Sequence, residues 1–300
     1  MRSVEIPGLV VNAAQVDRDG YVWVATPDTD PAGRRGGVHY AAYVVDPHAG
    51  RVHRIVRLPD EVRAVGDLVI GPEWVYLRSW RNGFSGAVGR VSRACVQDGA
   101  ACGAELFTQL GNVGGSSERG FLLTANALYS SNAANSRDNR RSFDKINLAG
   151  GQITASSTYS GNWCADQGSL YVVGYFEPGV PSLVRLDKGT LAKTAQVGVS
   201  ADETLIAYEG GLLYLSGYQR TRVLVRSAET LALVREFDVA AAGRVGPVFG
   251  FVAPGVLLLN GVASLDVQTG GLLLDPARGR VNLGPIPLAV RLPEGHPLAY

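Results

Sequence analysis

The sequence predicts an all-β fold, specifically a β-propeller of small, radially stacked sheets. Three observations lead there: a self-similar unit recurring along the chain, two turn signatures at set places within it, and no helical apolar period over any long window. The unit is a turn residue followed by apolar, aromatic and apolar residues. It reads Tyr21-Val22-Trp23-Val24, Trp74-Val75-Tyr76-Leu77, Ala127-Leu128-Tyr129-Ser130, Ser169-Leu170-Tyr171-Val172, Leu212-Leu213-Tyr214-Leu215 and Val256-Leu257-Leu258-Leu259. Its landmark (Trp23, Tyr76, Tyr129, Tyr171, Tyr214, Leu258) recurs every 42 to 53 residues, and one further step reaches Tyr300.

The first turn signature precedes each landmark: Asp19-Gly20, Gly71-Pro72, Asn126, Gln167-Gly168, Gly210-Gly211 and Pro254-Gly255, each with an apolar run before it. Apolar run, turn, apolar run is a hairpin. The second follows the landmark as apolar-Asp-x-x-x-Gly, in Val45 to Gly50 and Leu265 to Gly270, with Leu186-Asp187-Lys188-Gly189-Thr190 close to it. Asn147 to Gly151 and Ser227 to Thr230 are degenerate copies. Asp or Asn can cap such a turn through its side chain, while Gly accepts left-handed backbone. A short strand then follows, as in Arg51 to Leu58 or Leu231 to Val239.

Four strands per unit make a sheet that buries its faces only when neighbouring sheets stack on it, which is a propeller blade. A β-sandwich would not need the same turns at the same offsets, and a β-helix would repeat at about half this period. The chain is expected to be one domain over residues 1–300, with seven blades. Leu283 to Tyr300 would supply two strands of the last blade and Arg2 to Pro7 a third, closing the ring through the N-terminal strand. Six blades is the alternative if the C-terminal segment packs irregularly.

Composition narrows the partners. Lys plus Arg total 28 against 27 acidic residues, a net charge of +1, so no global field draws the chain to nucleic acid or to an anionic membrane. The longest apolar stretches, such as Phe251 to Leu259 with its Pro254 and Gly255, fall short of a membrane span. The expected state is a monomer. Met1 to Val11 lacks the layout of a secretory signal, so the chain is expected to be cytoplasmic or to have lost a leader. Cys95 and Cys102 bracket a short Gly- and Ala-rich stretch that can fold back into a disulfide. Formed, it favours an extracellular or cell-surface location, or a thermophilic source. Cys164 reads as a small buried hydrophobe.

The second turn resembles those of YVTN and PQQ-repeat propellers, whose blades carry Asp, variable residues and Thr-Gly before the outermost strand. Asp266-Val267-Gln268-Thr269-Gly270 matches best, Asp46 to Gly50 has Ala49 for Thr, and Asp187 lacks the final Gly. The resemblance covers most of the chain and implies a fold rather than an activity. The tryptophans common after this turn in quinone-binding relatives are absent, so no quinone cofactor is expected.

Two candidate surfaces follow. Loops joining second to third strands read as long in blades one to three. They carry Asp28, Asp30, Arg34 and Arg35, then Trp80, Arg81, Asn82 and Phe84, then Asn135, Arg137, Asp138, Arg140 and Arg141. Guanidinium groups beside aromatic rings can grip a carboxylate, a sugar or a partner protein. The expected function is therefore a non-catalytic propeller binding a protein or saccharide there, with no cofactor. The alternative is a central channel in which Asn12, Arg63, Glu118, Asp166 and Glu203, near the starts of inner strands, hold Ca²⁺ or an acid–base pair around water in a lactonase-like hydrolase. The four histidines, His39, His48, His53 and His296, are too dispersed for a metal site.

Overall fold

The computed structural model describes residues 13–25, 41–62, 65–79, 84–97, 100, 102–113, 121–132, 142–159, 161–177, 180–201, 203–246, 249–260 and 263–274. They form six four-stranded antiparallel sheets, with no α-helix among the described residues. The first sheet is β1 (Ala13–Val16), β2 (Val22–Ala25), β3 (Ala41–Asp46) and β4 (Arg51–Arg57); the second is β5 (Val65–Ile70), β6 (Trp74–Ser79), β7 (Phe84–Ser92) and β8 (Glu105–Val113). The third is β9 (Phe121–Leu123), β10 (Ala127–Asn132), β11 (Ser142–Asn147) and β12 (Ile153–Ser157). The fourth is β13 (Asn162–Ala165), β14 (Ser169–Glu177), β15 (Val180–Asp187) and β16 (Lys193–Gly198). The fifth is β17 (Leu205–Glu209), β18 (Leu212–Ser216), β19 (Arg222–Ser227) and β20 (Leu233–Asp238). The sixth is β21 (Gly250–Ala253), β22 (Val256–Leu258), β23 (Ala263–Asp266) and β24 (Leu272–Leu274). The segments expected to build and close a seventh sheet, Arg2 to Pro7 and Leu283 to Tyr300, lie outside the described residues.

Every sheet is a meander in sequence order, so connections between first and second and between third and fourth strands share one end. Each landmark lies on a second strand. Trp23, Tyr76, Tyr129, Tyr171 and Tyr214 are all buried, and in β22 the buried side chain is Leu257 beside the landmark Leu258. β6, β15 and β18 are buried at consecutive positions and hence on both faces, which is why they read as continuous apolar runs, whereas β19, β22 and β23 alternate. Fourth strands alternate: β16 and β20 show the same exposed–intermediate pattern, as edge strands with one face on the core do.

The turn between third and fourth strands is one structure used five times. The N–H of its fifth residue donates to the carbonyl of its first: Gly50 to Asp46, Gly151 to Asn147, Leu191 to Asp187, Leu231 to Ser227 and Gly270 to Asp266. The first side chain caps the turn: Asp46 Oδ1 accepts from the His48 and Ala49 N–H groups, and Asp266 Oδ1 from Gln268 and Thr269. The fifth residue is left-handed throughout, with φ of 67° at Gly50, 70° at Gly151, 59° at Leu191, 60° at Leu231 and 77° at Gly270. The Asp187 turn lacks the final Gly, and Gly189 within it is not left-handed. Leu191 takes that position, and its side chain is buried at 3% exposure.

The described residues fall into two compact units that divide between Ala155 and Ser156. In the first, β1, β5 and β9 pack side by side, and in the second, β13, β17 and β21 do. The first strand of each sheet is therefore the inner one. Arginines fasten neighbouring sheets. Arg54 on β4 donates to the Cys95 and Gln97 carbonyls at 3.3 and 3.0 Å, Arg185 on β15 to Glu229 at 2.6 Å, and Arg235 on β20 to Val267 at 2.7 Å. Each acceptor lies between the third and fourth strands of the next sheet. The guanidinium always comes from the cross-strand pair two residues before the turn: Val44 with Arg54, Arg185 with Ala195, and Val225 with Arg235. In the first unit the acceptor loop begins with a 3-10 turn (Arg93–Val96) and is cross-linked by a Cys95–Cys102 disulfide, Cα to Cα 4.7 Å.

Candidate functional site

Of the channel candidates, Asp166 and Glu203 are described, and Asn12, Arg63 and Glu118 lie outside the described residues. Asp166 does not stand at the start of an inner strand. It follows the end of β13, because Asn162–Ala165 is itself that strand and Asp166 opens the hairpin to β14. Its Oδ1 accepts from the Gly168 and Ser169 N–H groups at 2.8 and 2.6 Å, and its Oδ2 from the Tyr171 hydroxyl at 2.7 Å. Glu203 does precede its inner strand, β17, and is buried at 3% exposure. Its carboxylate accepts from the Ser200 N–H at 2.9 Å and from Arg226 Nε at 3.0 Å, while Arg226 Nη1 also donates to the Leu231 carbonyl. Glu203 thus links the entry of β17 to β19 and to the turn after it. Among the described residues no three His, Cys, Asp or Glu side chains gather as metal ligands. His53 stacks on Tyr21 with 5.0 Å between ring centroids, and its Nε2 lies 2.6 Å from the Val96 carbonyl.

Around Asp166 the second unit forms an open depression of about 730 Å³, lined by Asp166, Gln167, Gly168, Ser169, Lys188 and Tyr208. Two turns make its wall. Lys188, in the turn after β15, donates from its backbone N–H to the Gly168 carbonyl and from Nζ to the Asp166 carbonyl, at 2.9 and 2.7 Å. Tyr208, from β17 of the next sheet, stacks on Tyr171 with centroids 6.0 Å apart. The electrostatics follow from this packing. Burial pushes the Asp166 carboxyl up, but the Tyr171 hydroxyl, the Ser169 and Gly168 N–H groups and the Lys188 charge together outweigh it, and the group lies below its ordinary value. Burial, then the Asp166 carboxylate, raise Tyr171, which stays protonated and donates. Burial lowers Lys188 against the pull of Asp166, and burial raises the Cys164 thiol. Lys188 and Tyr208 were not singled out in the sequence. The position of Lys188 inside the Asp187 turn was the available signal, since that turn shares an end of the sheet with the Asp166 hairpin.

The pH dependence has a definite sign. A carboxyl whose value is depressed by folding contributes stability that is present above its unfolded value and lost as pH falls through its folded value. Asp46 and Asp266 are also depressed, Asp46 chiefly by the Ala49 N–H and Asp266 chiefly by the Thr269 N–H. Unfolding free energy is therefore expected to fall as pH drops below the ordinary carboxylate range, and Asp166→Asn to flatten that acid limb. Denaturant titrations at a series of acidic pH values check this; an unchanged slope in the variant contradicts it.

The loop surface is described only at its roots. Arg34, Arg35, Trp80, Arg81, Arg137, Arg140 and Arg141 lie outside the described residues, and Phe84 contributes backbone alone, pairing with Val113. Strand bounds still fix the connections. Second joins third strand through residues 26–40 in the first sheet and 133–141 in the third, against 178–179, 217–221 and 259–262 in the fourth to sixth. The second sheet's connection, 80–83, is as short as those, because the third strand begins already at Phe84. The expectation of three long loops is thus corrected to two.

No family model matches this chain, and no curated protein does. Solved structures do. BamB from Moraxella catarrhalis is similar over 88% of this chain and 75% of its own, at 12% identity and a TM-score of 0.56. Hsv2 from Kluyveromyces lactis is similar over 91% of this chain and 76% of its own, at 14% identity and a TM-score of 0.52. At such identities the likeness is one of fold, and together with six four-stranded antiparallel meanders it makes the fold of this chain a β-propeller.

Proposed function

We propose that this chain is a single, non-catalytic β-propeller that binds a protein partner through the connections at residues 26–40 and 133–141, with Trp80, Arg81 and Phe84 on the short connection of the second sheet. The observation that carries this reading is the inequality of connections on an otherwise regular scaffold. Four sheets join their second and third strands within a few residues, whereas the first and third insert segments bearing Arg34, Arg35, Arg137, Arg140 and Arg141. A repeat scaffold has no folding need for such segments, and recognition concentrates where loops depart from the repeat. Guanidinium groups on them suit carboxylate-bearing partners.

The test is retention from a source lysate on the immobilised chain, compared with a variant carrying Ala at those five arginines. A protein retained by the natural chain and lost from the variant is the expected result. The melting temperature should hardly move if these arginines serve binding rather than folding, since substitutions outside the packed and bonded framework are worth about 0.5 kcal/mol or less. The same proteins retained on both would overturn the proposal, as would retention of saccharides alone.

A further inference from the structure

Five sheets close their third and fourth strands with the same turn, and the second sheet does not. Its connection runs from Arg93 to Ala104, carries both bonded cysteines, and lies alongside β4, the outermost strand of the first sheet. A regular blade has no folding need for such an insertion, and function gathers where loops depart from the repeat. The described residues of the connection, 93–97, 100 and 102–104, make two arms. The inner arm, Arg93 to Gln97, is fastened along its length. Arg93 bonds to Pro72 and Asp19, the His53 ring nitrogen meets the Val96 carbonyl, and Arg54 donates to the carbonyls of Cys95 and Gln97. The outer arm, Cys102 to Ala104, meets β4 through backbone at Arg57. There the Ala104 N–H donates to the Arg57 carbonyl at 2.9 Å, beside a parallel bridge between Arg57 and Gly103. The disulfide joins this lightly held arm to the fastened one.

The strap covers apolar surface as well as an edge. Cys95 is 1% exposed and belongs to a buried cluster with Val56 and Val62, against which Leu58, Val96, Cys102 and Ala104 pack half-buried. Laying a loop over an outer strand is one way in which sheets avoid stray pairing. Among the described residues no other fourth strand is bridged from outside its sheet. The two sulfurs also differ in access, since Cys95 is buried and Cys102 is half-buried. A reagent arriving from solvent therefore meets Cys102 first, on the arm that has fewer ties.

We propose that the Cys95–Cys102 pair is a redox switch governing access to the outer edge of the first sheet. A thiolate of a dithiol reductant attacks Cys102 Sγ and breaks the Sγ–Sγ bond, and Cys95 leaves with the electron pair and takes a proton. The second sulfur of the dithiol then displaces Cys102 from the mixed disulfide. The protein gains two electrons and two protons, and the reductant becomes a disulfide. The outer arm then lifts from Arg57 while the inner arm stays fastened, and reoxidation restores the cover. The switch shares no residue with the connections invoked above, so either proposal can fail alone. The test is amide hydrogen exchange of the whole chain, read by mass spectrometry, before and after treatment with dithiothreitol. Peptides covering residues 102–104 and 56–58 should exchange about tenfold faster when reduced, with 93–97 and the strands β2 and β3 unchanged. Native alkylation by iodoacetamide should label Cys102 ahead of Cys95, and reoxidation should restore slow exchange. Cys95→Ser combined with Cys102→Ser should reproduce the reduced pattern; if that variant does not fold, the reduced natural chain still decides. Equal exchange in both states would overturn the proposal, as would a disulfide that resists dithiothreitol without denaturant. Loss of protection throughout β1 to β8 on reduction would also overturn it, because that is the mark of a folding staple.

Discussion

Replacing Arg93 by Ala is expected to lower the unfolding free energy by about 3 kcal/mol, the low end of what breaking a buried ion pair costs. The side chain of Arg93 is 8% exposed and bridges two sheets of the first unit. Its Nη1 donates to the Pro72 carbonyl at 2.9 Å, and its Nη2 lies 2.8 Å from Asp19 Oδ2 and 3.8 Å from Asp17 Oδ2. Asp17 is what makes the loss expensive. Its side chain is 1% exposed, and it caps its hairpin through the Asp19 and Tyr21 N–H groups while accepting from the Trp23 indole at 2.9 Å. Truncation removes the counter-charge from a carboxylate that water cannot reach, and strips the Pro72 carbonyl of its donor. The three donors that Asp17 keeps are the reason the loss should not reach the upper end of the range. Arg93→Lys retains charge without the forked reach and should fall between. Denaturant unfolding of the three proteins measures the order; a change under about 1 kcal/mol in Arg93→Ala would show that the contact is no more than a surface pair.

The contrast between what sequence showed here and what it hid has a physical basis. The landmarks Trp23, Tyr76, Tyr129, Tyr171 and Tyr214 were legible because a second strand buried on both faces must be apolar, and no other arrangement repeats that signature beside a turn. The Cys95–Cys102 disulfide was legible from spacing, and the structure contains it. Arg54, Arg185 and Arg235 were not recognisable as fasteners, because their acceptors are backbone carbonyls 43, 44 and 32 residues away and a carbonyl leaves no mark in a sequence. Asp166 was misplaced by half a hairpin for a related reason. An Asp capping a turn and an Asp opening an inner strand have the same apolar neighbours, and only the Gly168, Ser169 and Tyr171 donors distinguish them. Likewise the extent of β7 erased a loop, because Phe84 belongs equally well to a strand and to a connection.

Leu231 carries the second large effect, and it tests why one backbone conformation is served by glycine in some sheets and leucine in others. At φ 60° a leucine costs about 1–2 kcal/mol relative to right-handed backbone. The fold accepts this because the side chain, 1% exposed, fills a cluster with Tyr171 and Leu183 of the fourth sheet and Leu213 and Leu215 of the fifth. Leu231→Ala should therefore lose about 3 kcal/mol, since it empties the cluster and keeps the Cβ that makes the backbone unfavourable. Leu231→Gly removes the same packing yet recovers about 1 kcal/mol of strain, so it should be the less damaging of the two. Gly50 supplies the reciprocal case, with φ 67° at the same turn position and no atom within 4 Å of a Cβ placed there. Gly50→Leu should cost only the strain, about 1 kcal/mol, because the added side chain meets solvent instead of a core. Unfolding free energies in the order Gly50→Leu, Leu231→Gly, Leu231→Ala, from least to most damaging, would establish that burial between sheets decides which residue occupies the left-handed position. If Leu231→Gly matched the natural chain, backbone conformation would outweigh packing, and Leu231 would have no claim to be an anchor between the fourth and fifth sheets.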